Sequence, residues 1–279
     1  VFGHKPSYGR VPTYPASPTW PLSHTGPMTR TVRDAALMLQ VMAAPDDRDL
    51  FALPGAPEDY LAACERGVPG LRVAWSPDLG YATVDPEVRA LAEAAAKRFA
   101  DLGCVVEEAS PGFEDPAQPL LVIFCGGIGT AVAEYLAEWR EQLDPEVIEV
   151  AEYALSLDAA TYVRASAARH AFWNSVRPFF ERYDLLLTPT LAARPFPAGQ
   201  PRPAEIAGQP LRHHIAWIPF TYPFNLTGQP AASVPCGFTR DGMPAGLQIV
   251  GRRFDDATVL AAAAAYEALA PWAAARPPL

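Results

Sequence analysis

The segment from residue 71 to residue 107 restricts the possible folds more than any other part of the sequence. Residues 71–75 (LRVAW) form a short apolar run typical of a buried strand, and residues 104–107 (CVVE) form a second one. Between them, Asp85 and Pro86 supply an N-cap and a first-turn proline, so a helix is expected there. A crossover of more than about 25 residues between the two strands favours a parallel pair, because antiparallel neighbours need only a tight turn. The segment therefore predicts a strand–helix–strand unit.

The rest of the chain continues the alternation of strand and helix patterns. Thr31, with Asp34 three residues later, forms a capping box that predicts a helix to about residue 43. Short apolar runs predict further strands and capped segments predict further helices: strands at 184–188, 231–235 and 247–250, and helices over most of 120–181 and from 255 or 256 to about 269. Segments rich in proline, glycine or polar residues are expected to be loops: 1–30, 44–70 and 191–212. The alternation predicts an α/β fold, a single domain over 1–279 with helices on both faces of a mixed central β-sheet.

The composition argues against two classes of partner. Half of the 279 residues are hydrophobic and 19% are charged, as in an ordinary globular protein. The net charge of -9 disfavours a nucleic-acid partner, because phosphate binding needs clustered lysine and arginine. No apolar run approaches the roughly 18 residues that a membrane-spanning helix needs. We therefore expect no nucleic acid and no membrane partner, and the sequence leaves a homodimer open.

Cysteine and histidine spacing predicts no metal site. The cysteines are widely spaced and none forms a CxxC pair: Cys64, Cys104, Cys125 and Cys236. Cys104 and Cys125 lie in apolar stretches and are expected to be buried thiols, which favours a reducing, cytoplasmic compartment. His213 and His214 are adjacent, but no third ligand is spaced to join them.

The glycine-rich stretch at residues 120–132 (LLVIFCGGIGTAV) invites comparison with a dinucleotide site. Such a site needs three glycines at fixed spacing, and counted from Gly127 the third position is Val132. The stretch is therefore better explained as a helix with small residues where it packs closely, and no cofactor is predicted. Cys125 is not expected to be a nucleophile, because it follows an apolar run instead of lying in an electropositive setting.

Five segments in a fixed order carry a resemblance to one hydrolase family. Residues 3–12 (GHKPSYGRVP) and 23–36 (SHTGPMTRTVRDAA) are similar to the stretch just after the nucleophile in amidase signature enzymes. Residues 223–235 (PFNLTGQPAASVP) and 246–251 (GLQIVG) are similar to the C-terminal strand pair of that family, and residues 183–190 (YDLLLTPT) also fit. No single string would suffice, but the order matches along the chain. The sequence thus resembles the C-terminal part of an amidase signature hydrolase.

This resemblance implies amide hydrolysis, in which a carboxamide becomes a carboxylate plus ammonia or an amine through an acyl-serine intermediate. Family members use a serine nucleophile, a second serine in a cis peptide and a lysine base. Serine needs such a base to remove its proton, and the oxyanion needs fixed N–H donors. The Gly/Ser-rich nucleophile motif is absent from this sequence, so no catalytic residue is assigned. Lys5 and Ser7 match a non-catalytic stretch and are expected to be structural.

The aromatic-rich run at residues 217–224 is placed by the resemblance beside a small-molecule amide substrate. The residues expected to contact substrate are Ile218, Phe220, Tyr222 and Asn225, with Cys125 on the pocket wall. Core packing is the competing interpretation of the aromatic run. In the related glutamine-using tRNA amidotransferase A subunits, an acidic residue is expected near the position of Ile218. The apolar side chain here favours a hydrophobic or aryl amide.

The chain opens with Val1-Phe2-Gly3, without an initiator methionine or a signal-peptide pattern, and reads as the middle of a domain. By resemblance, the nucleophile would lie roughly ten residues before Val1 and the lysine base further upstream. We therefore expect residues 1–279 alone to be inactive and to supply pocket wall and scaffold to an N-terminal segment of the same enzyme. Two alternatives stay open: a non-catalytic truncated or partner-binding fragment, and an amidotransferase A-type subunit with a tRNA-binding partner.

Overall fold

A mixed seven-stranded sheet organises the structure, a computed structural model that describes residues 1–276. The strand order is β2-β1-β8-β9-β5-β3-β4, and β6 and β7 form a separate two-stranded ribbon. The strands are β1 (Phe2–Lys5), β2 (Met28–Thr29), β3 (Arg72–Trp75), β4 (Val105–Glu108), β5 (Leu185–Pro189), β6 (Glu205–Ile206), β7 (Gln209–Pro210), β8 (Ala231–Phe238) and β9 (Pro244–Gly251).

Helices cover both faces of this sheet. They are α1 (Val32–Met42), α2 (Tyr60–Ala63), α3 (Pro86–Lys97), α4 (Ala117–Ala133), α5 (Leu136–Trp139), α6 (Pro145–Ser156), α7 (Ala159–Val176), α8 (Phe179–Arg182), α9 (Tyr222–Thr227) and α10 (Asp256–Leu269). The expected α/β class and mixed central sheet are thereby confirmed. No helix within residues 1–276 is long and apolar enough to cross a membrane.

The predicted strand–helix–strand unit is confirmed as a parallel pair. Strand β3 pairs parallel with β4 on one side and with β5 on the other, whereas β9 runs antiparallel to β5 and to β8. The Asp85 side chain caps α3 by accepting from the N–H groups of Glu87 and Val88. Helix α3 ends at Lys97, and a short 3₁₀ turn leads to Gly103, which adopts a positive φ.

Alternating side chains of the central strands enter two separate hydrophobic cores. In β5, Leu185 and Leu187 pack on the side of α1, α3 and α10, whereas Leu186 packs on the side of α4, α7 and α9. All three leucines are fully buried, because the sheet is covered on both faces. The face covered by α4, α7 and α9 also carries a large cavity.

Three segments expected to be loops contain regular structure. Residues 2–5 form β1, which pairs with β8 from the other end of the chain, and residues 28–29 form β2. Short α2 interrupts the second loop, and the β6–β7 ribbon interrupts the third. Each of these elements is only two to four residues long. Elements of this length contain too few residues to show a sequence periodicity, and β1 in addition depends on a distant partner strand.

Candidate functional site

A cavity of about 1040 Å³ opens on the sheet face covered by α4, α7 and α9. Its walls come from α4, α6 and α9, from the loop at 13–25 and from the segment at 201–221. This volume lies at the upper end of the range that holds small-molecule ligands. The cavity is therefore the candidate binding site.

Apolar side chains form most of the cavity wall. They come from α4 (Leu120, Leu121, Phe124), from α6 (Val150, Tyr153) and from the segment before α9 (Ile215, Trp217, Ile218). Residues 150 and 153 are three apart on α6 and therefore share a helix face. Burial of apolar surface would be the main contribution to the binding free energy of a ligand in this space, at about 25 cal/mol per Å² of apolar surface removed from water.

Four of the five residues predicted to contact substrate line the cavity, namely Cys125, Ile218, Tyr222 and Asn225. Phe220 is placed elsewhere, since its side chain is fully buried in the core on this face of the sheet. Its carbonyl oxygen accepts a 2.8 Å hydrogen bond from the buried Gln248 amide. The aromatic run thus divides between cavity wall and core, because consecutive residues of a turn point in different directions.

Asp115 organises one wall of the cavity. The Tyr222 hydroxyl donates to Asp115 Oδ1 at 2.5 Å, and His213 Nε2 lies 2.9 Å from Asp115 Oδ2. Burial raises the pKa of the Tyr222 hydroxyl far above its ordinary value, and the neighbouring Tyr81 and Asp115 reinforce that shift. Tyr222 is therefore a permanent donor that fixes the carboxylate. Through Asp115 the loop before α4 is joined to the segment that carries His213.

His24 and Asn225 share one backbone acceptor at the cavity floor. The carbonyl of Leu22 accepts from His24 Nδ1 at 2.8 Å and from Asn225 Nδ2 at 3.0 Å. A carbonyl only accepts, so Nδ1 of His24 carries the proton. Burial, aided by the nearby Lys5 charge, lowers the pKa of His24 to about 3. His24 is therefore a neutral imidazole with a fixed tautomer at neutral pH.

A cluster of hydroxyl groups in the loop at 13–25 also lines the cavity. Ser17 Oγ is 3.0 Å from Thr19 Oγ1 and 2.5 Å from Ser23 Oγ, and the Thr19 and Ser23 hydroxyl oxygens are also 2.5 Å apart. The backbone of this loop packs on α4 at Gly127. A Cβ at that glycine would overlap the carbonyl oxygen of Pro18. The glycine is thus required for the close approach of loop and helix.

Charged side chains gather at the cavity rim. Arg202 pairs with Glu146 at the start of α6, which joins the 201–221 segment to that helix. Glu149 and His214 lie on the same rim and are exposed. Because exposed ion pairs contribute only about 0–1 kcal/mol, this link is easily broken.

Lys5 and Ser7 belong to a different cluster, beside Asp256, and do not form a nucleophile–base pair. The Lys5 ammonium donates to the Gln229 carbonyl, and Ser7 Oγ accepts from the Phe254 N–H at 3.1 Å. Burial lowers the pKa of Lys5 to about 7, against an opposing effect of Asp256. These contacts agree with the structural role that the sequence predicts.

The buried carboxylate of Asp256 is the centre of that second cluster. Its Oδ1 accepts from the Ser7 N–H at 2.8 Å and lies 3.2 Å from His4 Nε2. Burial opposes ionisation, but hydrogen bonds from His4 and Ser7 outweigh it and hold the pKa of Asp256 below its usual range. Asp256, the first residue of α10, therefore links that helix to strand β1.

The glycine-rich stretch forms the middle of the continuous helix α4, as the close-packing interpretation predicts. Helix α6 packs against Gly129, where an added Cβ would lie 2.5 Å from Ala154 Cβ. Cys125 is buried, and burial raises the pKa of its thiol. Among residues 1–276, no three His, Cys, Asp or Glu side chains are grouped as metal ligands would be.

Sequence reasoning missed Asp115 and the hydroxyl cluster. Asp115 precedes Pro116 at the start of α4, where an aspartate is normally explained as a capping residue, and its side chain does accept from the Ala117 N–H at 3.0 Å. Ser17 and Ser23 lie in a proline-rich loop without periodicity. The one feature of the sequence that could have pointed to Asp115 as a site residue is that an acidic residue directly precedes a long apolar helix.

Comparison with known proteins identifies the family. The model of the amidase family matches residues 1–260. An acylamidase of Rhodococcus erythropolis is 42% identical over 255 aligned residues, and the match covers 89% of this chain and 53% of that protein. The A subunit of the glutamyl-tRNA(Gln) amidotransferase of Moorella thermoacetica is 34% identical, and the match covers 100% of this chain and 61% of that relative.

Solved structures agree with these sequence matches. A bacterial aryl acylamidase of the amidase signature family superposes with a TM-score of 0.86 at 30% identity, covering 99% of this chain and 61% of that one. The 6-aminohexanoate cyclic dimer hydrolase, in complex with substrate, gives the same TM-score at 28% identity and covers 99% of this chain and 62% of that one. The chain therefore spans between half and two thirds of the length of these relatives. With the family model matched over residues 1–260 and the fold shared, the chain belongs to the amidase signature family.

Proposed function

We propose that this chain forms the substrate-binding wall of an amidase that hydrolyses hydrophobic or aryl carboxamides to a carboxylate and ammonia or an amine. The observation that carries the proposal is the cavity of about 1040 Å³, whose walls are mainly apolar and whose polar groups are few and fixed. The acylamidase and aryl acylamidase relatives support the same substrate class.

Four cavity residues are assigned to substrate contact. Ile218 and Cys125 present apolar surface, while Tyr222 and Asn225 are held in place by Asp115 and by the Leu22 carbonyl. Side chains fixed in this way keep their orientation without further loss of conformational freedom when a ligand binds. Their role is to orient the amide and to exclude water from it.

The chemistry proposed is acyl transfer to a serine. The serine attacks the amide carbonyl while a neutral lysine accepts its proton. The amine then leaves with a proton, and water hydrolyses the resulting ester. By the family resemblance, the serines and the lysine have no counterpart among residues 1–279. The proposal places them in the portion of the relatives that this chain does not span.

Hydrolysis of acetanilide and benzamide by two proteins tests this proposal. One protein is residues 1–279, and the other is the same chain extended by its own upstream coding sequence. The extended protein should release aniline and ammonia, and a serine-directed acylating reagent should block that release. The proposal fails if the extended protein, folded and soluble, leaves both amides intact.

A second function is favoured by the A subunits of glutamyl-tRNA(Gln) amidotransferase among the relatives. Such a protein would release ammonia from free glutamine together with a partner. The apolar Ile218 on the cavity wall disfavours it, because the resemblance leads us to expect an acidic residue near this position in a subunit that binds the head group of free glutamine. Turnover of free glutamine by the extended protein, with anilides left untouched, would select this second function.

A further inference from the structure

One carboxylate at the rim of the large cavity has no partner of opposite charge. The acidic and basic side chains that line this cavity are Glu146, Glu149 and Arg202. Arg202 pairs with Glu146, whereas no cationic side chain within residues 1–276 forms an ion pair with Glu149. The rim thus has one carboxylate more than it has guanidinium groups.

The histidines of the cavity do not supply the missing positive charge. Burial lowers the pKa of His24 to about 3, so this ring is neutral. Nε2 of His213 lies 2.9 Å from Asp115 Oδ2, so a charge on that ring would be balanced by Asp115. His214 is exposed at the rim and forms no ion pair with Glu149 in the described part of the chain. The Glu149 carboxylate is therefore free to bind a cation from outside the chain.

An aromatic ring lies one helical turn from this carboxylate. Tyr153 follows Glu149 by four residues on α6, so the two side chains share a helix face, and both line the cavity. Phe124 of α4 adds a second ring to the cavity wall. Tyr153 and Phe124 are 42% and 40% exposed, which leaves ring surface open to a ligand. Aromatic faces attract alkylammonium groups, and a carboxylate beside them provides the counter-charge.

These observations define the charge of the ligand. We propose that the substrate is an amide whose apolar body fills the large cavity and whose far end carries an alkylammonium group, bound between Glu149 and Tyr153. The net charge of -9 favours the approach of a cation over that of an anion. A metal ion suits the rim less well, because it needs several oxygen ligands around it and residues 1–276 group no such set. This proposal names the substrate class of the proposed amidase and rests on that function.

Anilides that differ only in the charge of one end test the proposal by binding to residues 1–279. The cationic probe is 4-(trimethylammonio)butyranilide. The neutral probe, 5,5-dimethylhexananilide, has carbon in place of the charged nitrogen and keeps the shape, and glutaranilic acid is the anionic probe. Isothermal titration calorimetry at pH 8, above the ordinary pKa of an imidazole, measures the three dissociation constants. The cationic probe should bind most tightly and the anionic probe most weakly.

Substitutions at the rim should change this charge preference and leave the neutral probe unaffected. Glu149→Gln should weaken binding of the cationic probe about two- to fivefold, the effect of one exposed ion pair. Tyr153→Leu should weaken it to a similar extent, whereas Tyr153→Phe keeps the ring and should retain the affinity. Glu134→Gln is the matched control, because Glu134 is an exposed carboxylate that does not line the cavity.

Three results would overturn the proposal. The first is a neutral probe that binds as tightly as the cationic one, or more tightly. The second is a ratio of these two dissociation constants that is unchanged in both Glu149→Gln and Tyr153→Leu. The third is undetectable binding of the cationic probe. All three concern binding alone, so a failure of the amidase function is recognised separately, by intact acetanilide with the extended protein.

Discussion

His24 illustrates how a single side chain can make the stability of this fold depend on pH. Its pKa is lowered by burial from the ordinary 6.5 to about 3. At a pH between 3 and 6.5, the His24 imidazole is therefore protonated in the unfolded chain but neutral in the folded chain. Stability must therefore fall as the pH is lowered from about 6.5 towards 3, by up to about 1.4 kcal/mol per pH unit from this group.

The variant His24→Asn tests this expectation. Asparagine keeps an N–H donor for the Leu22 carbonyl but does not titrate, so the free energy of unfolding should fall less steeply with acid than in the unmodified chain. Urea denaturation at pH 7, 6, 5 and 4 measures the two slopes. Thr25→Asn, an exposed neighbour on the same loop, should retain the original slope. Identical slopes for His24→Asn and the unmodified chain would contradict a neutral imidazole at this position in the folded chain.

Ile218 provides a test of the substrate class. In the extended protein, Ile218→Asp should lower kcat/KM for acetanilide about tenfold or more, because a carboxylate would be desolvated by the apolar substrate. Leu191→Asp is a suitable control, since Leu191 is 36% exposed and does not line the large cavity. An unchanged kcat/KM in the Ile218 variant would remove this residue from the proposed binding wall.

At the residue scale, the sequence was informative where the family resemblance fixed positions. Ile218, Tyr222 and Asn225 were predicted beside the substrate and do line the cavity, and contact with substrate stays a prediction. Phe220 lies between them in sequence but is turned into the core, and single-sequence patterns do not resolve such local rotation. Asp115 reaches the site only through its tertiary contacts with Tyr222 and His213.

At the scale of elements, the packing of α4 on α6 depends on one glycine. A Cβ at Gly129 would lie 2.5 Å from both Ala154 Cβ and the Val150 carbonyl oxygen, so the helices would have to separate. Gly129→Ala should therefore lower the free energy of unfolding by about 1–3 kcal/mol, in spite of the better helix propensity of alanine. Thermal or urea denaturation measures the loss.

Gly126→Ala, one turn earlier on α4, is the matched control for that prediction. Its Cβ would lie 3.3 Å from the ring of Tyr162 and 3.6 Å from Leu157 Cδ1, and the Tyr162 side chain can shift by a few tenths of an ångström. The gain in helix propensity, about 1 kcal/mol, should offset the contact, so this variant should be nearly neutral. Equal losses for the two alanine variants would contradict a special role of Gly129 in the α4–α6 contact.

The elements that the sequence predicted are those with a local signal. Thr31, Asp85 and Asp255 each cap a helix through a side-chain oxygen, and capping residues can be recognised from sequence. Strand β1 has no such signal, because its pairing partner β8 lies more than 200 residues away. Sheet order likewise depends on contacts between distant segments, which periodicity does not encode.

At the scale of the whole molecule, Asp256 joins the two ends of the chain. Its carboxylate binds the Ser7 N–H and lies beside His4, both near the start, while Asp256 itself begins the last helix. The side chain is 1% exposed, so its hydrogen bonds form away from solvent. The pKa of Asp256 in the folded chain is held below its usual range. The ionised carboxylate therefore stabilises the fold at neutral pH, and this stabilisation is lost as the pH falls through the pKa of the folded chain.

Asp256→Ala should therefore loosen both ends together. Removing the carboxylate leaves the Ser7 N–H and the His4 ring without their acceptor in a buried position, at a cost of about 3–5 kcal/mol. Asp255→Ala removes only the helix cap of α10, at a cost of about 1 kcal/mol.

Hydrogen exchange followed by mass spectrometry should show faster exchange in β1 and α10 at once for Asp256→Ala. For Asp255→Ala, faster exchange should be confined to the first turn of α10. If exchange in β1 were unchanged while α10 alone opened in the Asp256 variant, the two ends would be stabilised separately, and the pairing of β1 with β8 would have to hold the N-terminal strand by itself.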